Sequence, residues 1–298
     1  EQVVVTPGAM NGLYSIYAAL LNPGDEVLLP TPGFPNMDET VRLLGGKPVF
    51  YGLDKSDDYL PDPEEIASLV SPRTKVLFLN TPSNPTGTVI PPDRIEAILS
   101  VTAAQGVWVI SDEVYDQLIL DDDLPYLSPG SVDESLPVIS VYSFSKVYSM
   151  TGWRVGYLVA PPPLADILRK LQEPQVSCTS TISQKAAEAA LTGPREPIEA
   201  MRSAYVANRD FAWTRLTDLG LSGYRTQGTF YMLIEVSESG LAPIEFSLRL
   251  LEEHSVAVAP GEVFGPAGKT VVRISLANDK EKIGHGIEAI AKFISELN

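Results

Sequence analysis

Lys146 places a primary amine just past an apolar, β-type run, in Val-Ile-Ser-Val-Tyr-Ser-Phe-Ser-Lys (residues 138–146), with the hydroxyls of Ser143 and Ser145 beside it. An amine at the end of a buried strand needs a use, and an amine is the group that forms Schiff bases with carbonyl compounds. Arg154 follows within Thr-Gly-Trp-Arg-Val-Gly (residues 151–156), a guanidinium among glycines and suited to an anion. Taken singly, the lysine could be a surface residue whose stem covers apolar area, and the arginine a structural ion-pair partner.

Further candidates fall at similar junctions. Asp112 closes the apolar run in Val-Ile-Ser-Asp-Glu-Val-Tyr (residues 109–115), where a buried carboxylate needs a cation, either a basic side chain or a protonated ring nitrogen. Tyr115 stands three residues on and can add a hydrogen bond from the same side. Asn84 lies in Asn-Thr-Pro-Ser-Asn-Pro-Thr-Gly (residues 80–87), whose prolines enforce a defined non-helical loop; its amide could serve a phenolate oxygen or simply cap a turn. Thr-Pro-Gly-Ala-Met (residues 6–10) leaves a strand and opens a helix. Gly8, Ala9 and Met10 there can turn backbone N–H groups toward a phosphate, or form an ordinary βα turn. Phe34, after Pro32-Gly33, is placed to stack on a flat ring or to fill core. Arg273 sits inside the apolar strand Val-Val-Arg-Ile-Ser-Leu and reads as a bidentate carboxylate binder. An amine, hydroxyls, a phosphate-binding guanidinium and a ring-nitrogen partner are together what pyridoxal 5'-phosphate requires.

These residues need a scaffold that brings strand ends together. Short Val/Ile/Leu runs at 3–5, 26–29, 48–51, 75–79, 107–110, 138–142 and 154–159 alternate with helical patterns at 10–21, 37–44, 63–70 and 92–104. That alternation predicts an α/β fold, a mostly parallel sheet with helices on both faces and the site just past the strands' carboxyl ends. After Pro161 helices dominate, at 164–171, 183–191 and 198–219. Strands at 230–236, 256–259 and 270–276 with helices at 243–253 and 280–297 then predict a smaller α+β C-terminal domain. The expected division is a large cofactor-binding domain over 1–197, then a bridging helix and small domain over 198–298.

Composition narrows the partners. A net charge of −16 argues against nucleic acid and anionic membranes, so an anionic cofactor must be held by a local cluster of donors. The single cysteine, Cys178, permits no internal disulfide and fits a reducing, cytoplasmic setting. No apolar run reaches the length of a membrane span. His254 and His285 have no metal-ligand spacing, so no metal is expected. Glu1 begins almost inside a strand, which predicts that natural sequence precedes it.

Taken in order, the Asn-Pro-x-Gly, Asp-x-x-Tyr, Ser-x-Ser-Lys and Arg-x-Ser motifs resemble those of fold-type I pyridoxal-phosphate enzymes of the class I/II aminotransferase group, nearest its aspartate-aminotransferase-like members. The likeness runs from Thr6 to Asn278. It implies a Schiff-base role for Lys146, a ring-nitrogen partner in Asp112, phenolic-oxygen contacts from Tyr115 and Asn84, and ring stacking by Phe34. Gly8, Ala9, Met10, Ser143, Ser145 and Arg154 would form the phosphate cradle, and Arg273 with Asn84 would meet the substrate. It implies ping-pong transfer of an amino group between an L-amino acid and a 2-oxo acid in a homodimer. A lyase or synthase on the same scaffold is the nearest alternative, and a non-catalytic sensor domain a more distant one. The chain departs from the pattern in lacking the family's N-terminal segment, and in carrying Phe34 where tyrosine or tryptophan is common and Pro35 and Met37 nearby.

Overall fold

The computed structural model describes residues 1–297. Seven strands, β1 (Val3–Thr6), β2 (Glu26–Thr31), β3 (Lys47–Gly52), β4 (Thr74–Asn80), β5 (Trp108–Asp112), β6 (Val138–Ser143) and β7 (Gly156–Val159), form one sheet in the order β1-β7-β6-β5-β4-β2-β3. Pairing is parallel from β3 through β6, and β7 runs against both β6 and β1. Alternation along the strands explains the two covered faces. Val27, Leu29, Val76, Phe78 and Ile110 pack with Leu13, Ile16 and Tyr17 of helix α1 (Ala9–Leu20) and Val41 of α2 (Asn36–Leu43). Their neighbours Leu28, Leu77, Leu79 and Val109 point the other way. They meet Ile66 of α3 (Pro63–Leu69) and Ile95, Ile98 and Leu99 of α4 (Pro92–Ala104). Each such fully buried side chain contributes about 1.5–3 kcal/mol of transfer free energy.

Four further helices are α5 (Phe144–Val147), α6 (Pro162–Val176), α7 (Thr181–Thr192) and α8 (Glu196–Asp218). A second, three-stranded antiparallel sheet holds β8 (Tyr231–Glu235), β9 (Ala259–Pro260) and β10 (Val271–Ser275) in the order β8-β10-β9. It shares a separate core with α8, α9 (Pro243–His254) and α10 (Lys280–Leu297), built on Met232, Ile234, Phe246, Ile287 and Phe293. The α/β architecture with a smaller α+β part is thus the one expected.

Some boundaries differ. The strand expected over 154–159 starts only at Gly156, because Arg154 takes a left-handed conformation (φ 55°) and turns its guanidinium back to the Thr151 carbonyl, 2.9 Å away. The strand expected over 256–259 shrinks to Ala259–Pro260, as suits an edge strand ending in a residue without an N–H. Helix α6 runs past Leu171 through Pro174, pinned to α1 by Gln172 Nε2 to Ser15 Oγ (3.0 Å) and Asn11 Nδ2 to Gln175 Oε1 (3.1 Å).

Candidate active site

Register brings the chemistry together. Asn80 pairs across from Asp112, and Asp112 from Val141, so the carboxyl ends of β4, β5 and β6 stand side by side. A cavity of about 250 Å³ opens over them. Its walls include Ala9, Met10, Phe34, Asn84, Asp112 and Tyr115, and from the other side Ser143, Ser145, Lys146, Arg154 and Arg273. Gly8 lies behind Arg154: a Cβ there would meet Arg154 Nη2 at 2.4 Å. A larger cavity, about 450 Å³, runs along the β1 edge between Val3, Val5, Tyr157 and Leu191. It is mainly apolar and gathers none of the candidate residues, so the smaller cavity is where chemistry is possible.

Lys146 is not on the strand itself. Ser143 ends β6 and caps the one-turn helix α5, its Oγ accepting from Ser145 N at 3.1 Å, and Lys146 projects from that turn. Its Nζ sits 5.6 Å from the Phe230 ring centre and 6.0 Å from that of Tyr115, and has no hydrogen-bond acceptor among the described residues. The amine is held by aromatic faces and is otherwise uncommitted.

Asp112 is 5 % exposed. Burial raises its carboxyl to about 7, aided by the charge of Glu113 and opposed by the Val114 N–H and by Lys146. A carboxylate so placed calls for a cation in the cavity. Tyr115 is buried, and burial followed by the neighbouring Tyr231 pushes its phenol upward, so it stays a proton donor. Asn84 donates its backbone N–H to Asn80 Oδ1 (2.7 Å), and its own Oδ1 accepts from Arg273 Nη1 (2.6 Å). The Arg273 guanidinium lies 3.9 Å over the Tyr231 ring and 4.7 Å over that of Phe264, and burial lowers its proton affinity.

At the other end, Gly8 caps α1 at φ 80°, leaving the first-turn N–H groups of Ala9 and Met10 without intrahelical acceptors. Arg154 faces them with no carboxylate partner among the described residues. Gly156, which the sequence reading did not single out, closes the cradle: a Cβ there would lie 2.7 Å from the Tyr142 carbonyl and 2.9 Å from the Ala9 nitrogen. Thr151 and Tyr231 also line the cavity and were not anticipated, since an isolated threonine and an aromatic in an apolar run carry no chemical signal. The parts fit pyridoxal phosphate: an anion cradle at one end, an uncommitted amine beside it, and a buried carboxylate lacking a closely paired cation.

Comparison with known proteins agrees. The family model for aminotransferase class I and II matches residues 1–290. An aspartate aminotransferase of Pyrococcus abyssi is 36% identical over 99% of this chain and 77% of its own length. An aromatic-amino-acid aminotransferase of Thermococcus litoralis is 34% identical over 99% and 76%. Among solved structures, an aromatic aminotransferase from Pyrococcus horikoshii superposes with a TM-score of 0.95 at 36% identity, covering 99% of this chain and 80% of that one. Thermus thermophilus aspartate aminotransferase with maleate gives 0.93 at 34%, covering 98% and 76%. These likenesses favour transamination over lyase or sensor readings. The chain belongs to the class I and II aminotransferases, pyridoxal-phosphate enzymes that move an amino group between an amino acid and a 2-oxo acid.

Proposed function

We propose that Lys146 carries the cofactor as a Schiff base, that Asp112 pairs with its ring nitrogen and that Arg273 anchors the substrate α-carboxylate, in a ping-pong exchange between an L-amino acid and a 2-oxo acid. The observation that supports this most is the shared cavity: an amine without an acceptor, a buried carboxylate without a close cation, and two guanidinium groups without carboxylates. The cofactor supplies an electron sink for the bond broken at the substrate Cα. The Ala9 and Met10 amides at the α1 N-terminus, with Ser143, Ser145 and Arg154, hold its phosphate. Phe34 lies against the ring, and the Asn84 amide nitrogen and Tyr115 hydroxyl donate to the phenolic oxygen. Lys146, freed when the substrate nitrogen takes its place, would take the proton from the substrate Cα and deliver it to the cofactor carbon that had carried the Schiff base, so that the amino group stays on the cofactor when the 2-oxo acid leaves. Arg273 fixes the carboxylate, and with it the direction of the breaking bond.

The test is a half-reaction on the loaded enzyme with a panel of L-amino acids and no oxo acid. The visible absorption should change and one equivalent of 2-oxo acid should appear per site. Lys146→Ala should release none. Release of ammonia, or turnover by Lys146→Ala at the wild-type rate, would refute the assignment.

The same reading divides the chain into a cofactor domain over 1–197 and a bridging helix with a small domain over 198–298, each with its own core. Exposed Val3, Val5 and Leu191 along the β1-edge groove support a homodimer. A free Cys178 supports a reducing, cytoplasmic setting. No helix is long and apolar enough to cross a membrane among the described residues.

A further inference from the structure

The residue after Asp112 is a second buried carboxylate that the transfer chemistry leaves unused. Glu113 is 0 % exposed. Its Oε2 accepts from the Tyr126 hydroxyl at 2.6 Å and the Tyr142 hydroxyl at 3.1 Å, and its Oε1 from Ser128 Oγ at 3.0 Å. No lysine, arginine or histidine pairs with it among the described residues. The other titratable groups around it are Asp112, Asp116 and Tyr157, and none of them is a cation.

A buried charge without a counter-ion is costly, and a neutral glutamine could satisfy hydroxyls that rotate freely. All three hydroxyls nevertheless point their donors at the two oxygens of Glu113. Burial first, and then the Glu113 charge, hold the Tyr126 and Tyr142 phenols firmly protonated, so they remain donors. Glu113 directly follows Asp112 at the end of β5, so its carboxylate stands next to the site, where it raises the proton affinity of Asp112 while Lys146 lowers it. Glu113 N–H further bonds the Val141 carbonyl at 2.9 Å, so the residue ties the end of β5 to the strand leading to Lys146.

We propose that Glu113 is a positioning residue for the transfer reaction: a fixed negative charge behind Asp112 that acts through it to keep the cofactor ring nitrogen protonated. This rests on the proposed pairing of Asp112 with that nitrogen. The test is nitrogen NMR of the loaded enzyme, with cofactor labelled at the ring nitrogen, across a pH series, together with kcat, KM and Tm. Asp112→Asn should remove the ring proton outright; if it does not, the Asp112 reading fails first. In Glu113→Gln, the pH at which the ring proton is lost should fall by about one unit and kcat by about tenfold, with KM unchanged. Glu113→Asp, which keeps the charge, should restore the nitrogen signal even if Tm drops. A ring nitrogen that moves in Asp112→Asn but not in Glu113→Gln overturns the proposal, as does one lost equally in Glu113→Asp and Glu113→Gln. Should Glu113→Gln fail to fold, Tyr126→Phe takes the shortest donor from the carboxylate. It should move the nitrogen the same way by less, and an unmoved signal there also overturns the proposal.

Discussion

Arg273 shows how little a single side chain must do once its neighbours are fixed. Its guanidinium lies between the Tyr231 and Phe264 rings and spends one hydrogen bond, at 2.6 Å, on Asn84 Oδ1. The stacking holds the plane of the fork, and the unspent N–H groups face the cavity, where a carboxylate can take two of them at once. Lysine would keep the charge but lose both the plane and the second bond. Arg273→Lys should therefore lower kcat/KM for an amino acid by about 1–3 kcal/mol, roughly 5- to 150-fold, mostly through KM. Cofactor affinity, measured by equilibrium dialysis, should stay within about twofold of wild type. A large loss of cofactor would mean that Arg273 serves the cofactor and not the substrate.

At the scale of elements, the loop after β4 is set by a piece of chain distant in sequence. Gly87 has φ 74°, its carbonyl accepts from Gln227 N (3.1 Å) and Gly228 N (2.7 Å), and Gln227 Oε1 accepts from Val89 N (3.0 Å). A Cβ on Gly87 would fall 1.5 Å from Thr226 Oγ1. Gly87→Ala must push the 226–228 segment away from the loop that carries Asn84, and it also carries the cost of a positive φ. It should lower stability by about 2–4 kcal/mol and weaken cofactor retention, read by thermal melting and by dialysis. This contact marks the limit of what the sequence made legible. Asn84, Asp112 and Lys146 stood out because chain chemistry places each at a strand end, and the sheet was visible in its apolar runs. Tyr231, Phe264 and the clasp at 226–228 could not be seen, since their roles come from packing between segments far apart in the chain. Helix α5 is too short to show a period, so Lys146 read as a strand-end residue, and the left-handed turn at Arg154 was hidden inside an apolar pattern.

At the scale of the whole molecule, a chain of net charge −16 concentrates Lys146, Arg154 and Arg273 around one cavity, and its response to pH should be governed by two buried carboxyls of opposite character. Glu26, 3 % exposed at the start of β2, accepts from Ser71, Arg73 and Lys47 and is drawn down to about 2, chiefly by the Ser71 and Arg73 bonds. Its folded value lies below its ordinary 4.5, so its stabilisation is present above that pH and is lost as pH falls toward 2. Asp112 behaves inversely. Its folded value, about 7, lies above its ordinary 3.8, so the folded chain binds the proton more tightly than the unfolded one, and stability falls as pH rises between those values. Cofactor-free protein should therefore melt highest at mildly acidic pH, lower near pH 7 as Asp112 ionises, and lower again as Glu26 is protonated. Adding cofactor should raise Tm most near pH 7 and above, where the Asp112 charge gains a cationic partner. Relief of global repulsion on acidification would also lift stability, and the two causes separate by mutation. Asp112→Asn should shrink the neutral limb to the part that Asp116, raised to about 6 by burial, contributes below pH 6, and leave the acid limb intact, whereas Glu26→Gln should remove the acid limb alone. A neutral limb that survives when Asp112→Asn and Asp116→Asn are combined would assign it to the net charge and remove the support for an unpaired carboxylate in the site.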